Sequence, residues 1–375
     1  MSTDKQSLCI DILVSGHVQA YVDFFYLTHR PEAEEQEEEE EEPADDQVGI
    51  PSAMLPHVKT QLAEAEVARR RGDTQAVFGS YRQLADFFTG LEDQRTAIYF
   101  WEKCLEITQL TSDAEGEKQA TRSLGMAHEA SKDMAAAIKQ YETLLRLAQR
   151  TGDVGGEQQA NEHLVVSYEA VAMSKEVASD AKGALEYREK CLEASRASGD
   201  PAKESKAQYD LGQAHEKIGE VEHLKHAVSH YEQHLALAEK AGNVEAQGAA
   251  CYAMSQVYQR MQDGEATLQY LQRFLKLAQA SGKLVAQAEA CCSLGVLYNQ
   301  QNDYASAVQY LERYFELARS IGDRLMIDKA RTYLGIARGN SVLPTYMGVV
   351  TTDIDALLRW KNRRTPFTDQ LQVAT

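Results

Sequence analysis

The 375-residue chain carries 57 acidic against 39 basic side chains, a net charge of −18. That balance repels phosphate backbones and anionic bilayers, so neither nucleic acid nor a membrane surface is expected as a partner. Only 7 prolines and abundant Ala, Glu, Gln, Lys and Leu favour long helices, and no segment keeps the alternation of a strand.

Within residues 1–30, Leu8, Ile12, Ala20, Phe24 and Leu27 fall near helical spacing, while Asp11, His17, Gln19 and Asp23 interrupt the apolar run. The pattern predicts one amphipathic helix, too polar to span a bilayer. It lacks the basic start and small-residue cleavage site of a secretion signal, so a soluble, cytoplasmic chain is expected. The helix either docks on a partner or folds back over the rest of the chain. Residues 31–53 read as a linker. Eleven of the 16 residues from 31 to 46 are acidic, including Glu37 to Glu42, a composition that stays disordered and self-repelling, as a solvated spacer or as a lure for a basic protein.

From 54 to 340 one sentence is repeated. A small residue recurs at Ala97, Ala137, Ala184, Ala227, Thr267 and Ala307, at spacings of 40, 47, 43, 40 and 40. Upstream of it, in step, stand Leu124-Gly125, Leu164-Val165, Leu211-Gly212, Met254-Ser255, Leu294-Gly295 and Leu334-Gly335. An aromatic or a histidine follows the first five pairs, at His128, Tyr168, His215, Tyr258 and Tyr298, and Arg338 follows the sixth. Large, small and aromatic side chains at these offsets let two antiparallel helices close on each other at the glycine. The pattern resembles the tetratricopeptide repeat, stretched from its usual period of about 34 residues. The expected fold is all-α: a right-handed superhelical solenoid of such helix pairs with a period near 40, an N-terminal helix and a C-terminal cap. One helix pair, residues 55–88 with Arg71-Gly72-Asp73 as its turn, is expected before the regular copies. The extra residues fall around Met173 to Lys182 and Val221 to His226, and solenoid insertions map to helix extensions or loops on one face.

Chemical motifs dissolve on inspection. Six cysteines contain no Cys-x-x-Cys, and Cys104, Cys191, Cys251 and Cys291 occupy repeat positions, as buried thiols of a reducing compartment would. His223, His226, His230 and His234 lie along one helix face at spacings that can hold a metal ion, but no Cys or Asp completes the set. A partly exposed polar helix edge is the ordinary reading, and no metal or cofactor is expected. There is no Walker-type phosphate loop, no Gly-x-Ser-x-Gly and no carboxylate pair singled out for catalysis, so a non-enzyme with no small-molecule substrate is expected.

What remains is the groove lined by the first helix of each pair. The repeat's groove positions fall on Gln119, Arg122, Met126 and Glu129, then on Lys206, Tyr209, Gln213 and Glu216, then on Tyr252, Gln256 and Gln259, and last on Cys292, Val296 and Asn299. This mixed lining suits an extended peptide or a partner helix. Met126 stands where the carboxylate clamp of chaperone-binding relatives wants asparagine, which argues against that use. In residues 341–375, a short helix over Asp353 to Trp360 is expected to cap the array by burying Leu357 and Trp360. Arg359, Lys361, Arg363 and Arg364 then form a basic edge, either solvated or set against an acidic surface such as that of a doublet microtubule.

The opening Leu8-Cys9-Ile10-Asp11-Ile12-Leu13 with Gly16 and Tyr21, the stretched repeats with Glu189-Lys190-Cys191-Leu192-Glu193, and the closing Leu357-Leu358-Arg359-Trp360-Lys361-Asn362 with Thr365-Pro366-Phe367 resemble the tetratricopeptide repeat protein 29 family of cilia and flagella. The resemblance implies an axonemal scaffold associated with the heavy chain and subunits of a single-headed inner-arm dynein, a MYND-zinc-finger protein among them, and required for motility. A cytoplasmic adaptor for assembly or intraflagellar transport of dynein components is the alternative.

Overall fold

The computed structural model describes residues 5–29 and 50–363, so the acidic run Glu37 to Glu42 and Arg364 lie outside the described residues. Among these residues, seventeen α-helices and one 3-10 turn follow one another, with no strand. The chain divides at Asp200–Pro201 into two compact units. The first holds α1 (Lys5–Val14), α2 (Val18–Thr28), α3 (Leu55–Arg71), α4 (Thr74–Gly90), α5 (Gln94–Thr111), α6 (Ala114–Ala130), α7 (Met134–Thr151), α8 (Val154–Val177) and α9 (Ala181–Ser198). The second holds α10 (Pro201–Ile218), α11 (Val221–Lys240), α12 (Val244–Arg260), α13 (Gly264–Ala280), α14 (Leu284–Gln300), α15 (Tyr304–Ile321), α16 (Arg324–Thr352) and α17 (Ile354–Arg363).

Most helices between α3 and α16 meet the next through a two-residue device; the starts of α11 and α14, after Glu220 and Lys283, lack the side-chain cap. A residue with positive φ ends the helix, and the Asp or Asn after it caps the next one. Gly152 (φ 67°) precedes Asp153, whose carboxylate accepts from the Gly156 N–H at 2.9 Å, and Gly322 (φ 81°) precedes Asp323 in the same way. Such a cap satisfies an orphan helix donor and contributes about 1 kcal/mol. The turns inside the pairs place ordinary residues in the same conformation: Glu92, Lys132, Ser179, Gln262 and Asn302 all lie near φ 60°. A side chain there costs about 1–2 kcal/mol that glycine avoids, partly offset by glycine's greater freedom when unfolded. Lys132→Gly is therefore expected to stabilise the chain by about 0.5–1 kcal/mol, seen as a higher urea midpoint.

The pairs are α4/α5, α6/α7 and α8/α9 in the first unit and α10/α11, α12/α13 and α14/α15 in the second. They cross at the small residue. A Cβ on Gly125 would lie 2.4 Å from the Tyr141 ring, one on Gly212 would lie 2.6 Å from Tyr231, and one on Gly295 would lie 2.5 Å from Leu311. Tyr141 and Tyr231 are fully buried, and their hydroxyls donate to Glu129 at 2.9 Å and Glu216 at 3.0 Å. A second contact also recurs. The aromatic or histidine four residues after the Leu pairs with the ring three residues after the small residue of the second helix: Phe88 with Phe100, His215 with His230, Tyr258 with Tyr270 and Tyr298 with Tyr310 are stacked, and Tyr168 with Tyr187 is tilted.

Three elements differ from the sequence reading. The first pair is not α3/α4. Helix α4 packs most extensively on α5, because Leu84-Ala85 and Phe88 stand before Ala97 as Leu124-Gly125 and His128 stand before Ala137. That leaves α3 alone at the front. The N-terminal segment is two helices rather than one, because Gly16 turns left-handed (φ 77°) and the His17 N–H closes α1 on the Ile12 carbonyl. Both helices fold back on α3, burying Leu8, Ile12, Ala20 and Phe24. The buried carboxylate of Glu66 accepts from the Ala20 N–H at 2.9 Å, standing in for the cap that His17 does not supply, and is itself paired with Arg70. At the other end α16 runs on through Pro344 to Thr352. Helix α17 folds against that extension, with the Tyr346 and Trp360 rings 6.5 Å apart, and Leu357 and Trp360 are half-buried rather than enclosed.

Candidate functional site

In the first unit the first helices of three pairs, α4, α6 and α8, frame a groove of about 930 Å³. Two of the glycines lining it leave open space, since a Cβ at Gly79 would meet nothing within 4 Å and one at Gly155 only the Asp153 carboxylate, at 3.6 Å, whereas Gly116 and Gly156 are filled by the capping Asp113 and Asp153 at 2.6 Å. Arg82 and Arg122 both line it, and both occupy the place two residues before the Leu of their repeat. The Arg122 guanidinium donates to Gln159 at 3.2 Å, and Arg82 lies 3.7 Å from Asp86. Gln119 and Gln159 hold one equivalent place on α6 and α8, so amides and guanidinium groups alternate along the wall. Lys118 is a fixed strut rather than a free cation. It is buried between Asp153 and Glu115, each at 2.6 Å, and hydrogen bonds to Asp153 and then Glu115 push its pKa up, while the same bond from Lys118 lowers that of Asp153.

In the second unit α10, α11 and α12 frame a smaller groove of about 420 Å³, lined by Lys206, Tyr209, His234 and Ala249. The place held by arginine in α4 and α6 is held here by Tyr209 and Tyr252, which lean on Tyr231 (5.4 Å) and Phe274 (5.1 Å). Thus the two grooves offer different chemistry from one repeat position: charge in the first unit, aromatic surface in the second.

Not all the expected groove residues are available to a ligand. Met126 (52% exposed), Lys206, Gln213 and Gln259 are exposed, and Gln256, Cys292 and Val296 are half-buried. Glu129, Glu216 and Asn299 are engaged within their units: the two glutamates hold the buried tyrosines, Glu216 also pairs with Arg260 at 3.6 Å, and Asn299 accepts from Asn340 at 3.1 Å. The sequence reading missed Arg82 and Gln159. The signal for Arg82 was the Leu84-Ala85 signature of α4, and that for Gln159 was its offset from Leu164, the same as that of Gln119 from Leu124. Arg188, standing in place of the crossing tyrosine, grips Glu176 at 2.9 Å in the insertion that stretches α8 to 24 residues. On α17, Arg359, Lys361 and Arg363 are exposed, with Arg359 3.9 Å from Asp353.

The histidines regroup. His234 is buried elsewhere, bonded to Ser205, and His215 takes its place at the centre of His223, His226 and His230. Burial first, and then the neighbouring imidazoles, push the His215 pKa down to about 4, so this ring is neutral at physiological pH. None of the six cysteines, all of them among the described residues, forms a disulfide, and five are buried; burial pushes the Cys104 thiol up to about 12.

Among the described residues no helix is long and apolar enough to cross a membrane. A family model described as tetratricopeptide repeat matches residues 248–320. Tetratricopeptide repeat protein 29 of Trypanosoma brucei brucei is 27% identical over 267 residues, 71% of this chain and 53% of the relative. The mouse protein of that name is 26% identical over 229 residues, 58% of this chain and 48% of its own. The chain thus spans about half the length of the curated relatives it matches. Among solved structures, a signal-transduction ATPase with a tetratricopeptide repeat sensor from Pyrococcus horikoshii is similar over 82% of this chain and 46% of its own at 15% identity and a TM-score of 0.44. MamA protein is similar over 52% of this chain and 97% of its own at 16% identity and a TM-score of 0.33. At these scores the structural likeness says nothing about function. The repeat geometry and the matched repeat model agree on a solenoid of tetratricopeptide-like helix pairs, and the chain is similar to tetratricopeptide repeat protein 29 of trypanosome and mouse.

Proposed function

We propose that the chain is a non-catalytic scaffold subunit of the axoneme that holds a single-headed inner-arm dynein, alongside a MYND-zinc-finger subunit, through the grooves of its repeats. The observation that carries the reading is the open groove of the first unit. Arg82 and Arg122 present two guanidinium groups from one repeat position beside the open sites at Gly79 and Gly155, and because Lys118 is consumed by Glu115 and Asp153, these two arginines are the groups that would meet an extended acidic segment of a partner. The axonemal setting rests on the resemblance of the chain's two ends and stretched repeats to the tetratricopeptide repeat protein 29 family, and proteins of that name in trypanosome and mouse are similar to this chain.

The test is to extract axonemes with salt, fractionate the dyneins and follow the chain by mass spectrometry. Co-elution with one inner-arm dynein at constant ratio is the expected result. The Arg82→Glu/Arg122→Glu double variant should reduce that co-elution at least tenfold while leaving the circular dichroism unchanged. A chain found in the soluble cytoplasm and absent from axonemes would sink the subunit reading and leave the transport adaptor.

A further inference from the structure

The second unit ends in an arm that the repeats do not cover. Asn340 is tied to α14 through Asn299 at 3.1 Å, and α16 then runs on to Thr352, where the chain turns at Asp353 into α17. Beyond Ala337 no described residue is buried. With ten residues, α17 is shorter than the roughly 12–15 at which a helix persists in water by itself. The extension of α16 holds Pro344, which supplies no helical N–H and crowds the Asn340 carbonyl. Both helices therefore depend on packing, and one stripe of each is packed. The Tyr346 and Trp360 rings, equally far along the chain from Asp353, come within 6.5 Å, so the two helices run antiparallel; Val342, Val349, Leu357 and Trp360 are half-buried. A second stripe of each is bare. Leu343 and Met347 (51% and 50% exposed) stand about a quarter-turn round α16 from Tyr346, and Ile354 and Leu358 (64% and 51%) about a third of a turn round α17 from Leu357 and Trp360. In an antiparallel pair both offsets turn to the same side, so these apolar side chains share one broad face, turned away from Arg331 and Arg338.

We propose that this face is a dimer interface and that its occupant is the arm of a second copy of this chain, the two hairpins closing as four helices over Leu343, Met347, Ile354 and Leu358 of each. The charge order along α17 selects that occupant. Asp353 and Asp355 stand at its start and Arg359, Lys361 and Arg363 towards its end. Arg359 reaches Asp353 at 3.9 Å, and among the described residues no ion pair holds Asp355, Lys361 or Arg363. An acidic partner would answer only the end of this pattern, and a basic one only the start. The same helix reversed answers both. A two-fold axis crossing α17 at right angles sets each acidic start against the other's basic end, with the helix dipoles opposed as well. The face is about 20 Å long and two helices wide, so the pair of copies buries roughly 1,000 Å2 in total. That lies at the low end for specific interfaces, and a dissociation constant in the micromolar range is expected. The arm shares no residue with the groove of the first unit, so the dimer and the groove stand or fall separately.

The experiment is sedimentation equilibrium of the full chain from about 1 to 100 µM at physiological salt. A monomer–dimer equilibrium with a micromolar constant is expected. Leu358→Asp should weaken it at least tenfold with unchanged circular dichroism, because that side chain is exposed in the single chain. Leu325→Asp, at an exposed leucine outside the arm, should leave it unchanged. Asp355→Lys, and separately Lys361→Asp/Arg363→Asp, should each weaken self-association at least tenfold, and an equimolar mixture of those two variants should recover dimers to within about threefold of the parent. A parent chain that stays monomeric throughout, a dimer indifferent to Leu358→Asp, or a mixture no better associated than its components would each overturn the assignment.

Discussion

Gly125→Ala is expected to destabilise the first unit by about 2–3 kcal/mol, although alanine is the better helix former by about 1 kcal/mol. The added methyl would sit 2.4 Å from the Tyr141 ring, and that ring cannot yield freely because it is fully buried and its hydroxyl is bonded to Glu129. Overpacking therefore outweighs propensity. The same substitution at Gly335 should have the opposite sign. That glycine holds the equivalent repeat position, but nothing lies within 4 Å of the site its Cβ would take, so Gly335→Ala should add about 0.5–1 kcal/mol. Urea unfolding of the two variants decides the matter. If both shift the midpoint in the same direction, the crossing contact does not control stability.

Glu66→Ala is the second large effect, and it should be local. The substitution removes the acceptor of the Ala20 N–H and leaves Arg70 without its buried partner, a loss of about 2–3 kcal/mol for a charge-assisted bond in a buried setting. Helices α1 and α2 also bury Leu8, Ile12, Ala20 and Phe24, so they should loosen rather than unfold. Amide exchange across residues 18–28 should accelerate at least tenfold, with α6 and α7 unchanged. Uniform acceleration along the chain would show instead that α1 and α2 open only with global unfolding.

Where the sequence was legible, it was so because a solenoid repeats its own packing rule. Leu124-Gly125 and Ala137 announce a close crossing whatever surrounds them, so the helix pairs and their spacing could be counted. The front of the array was harder. Ala85 does at α4 what glycine does at α6, and a rule keyed on Leu-Gly passed it over, taking Arg82 of the groove with it. Glu129 and Glu216 misled in the other direction. From sequence they face the groove, but a buried tyrosine hydroxyl needs an acceptor, and the nearest carboxylate on the partner helix satisfies it. The histidine cluster was half visible: spacing along α11 gave His223, His226 and His230, while His215 comes from α10, and only tertiary packing brings a residue of one helix to the centre of three from another.

At α16 the residues corresponding to Ala288, Cys291 and Tyr298 of α14 are Asp328, Arg331 and Arg338, all exposed and charged. A further helix laid across this face would have to strip water from three ions. This face of α16 therefore refuses to template another repeat. At the front, α3 is already roofed by α1 and α2. Another helix would therefore meet ions on α16 and, in the first unit, an α3 face already covered by its own chain.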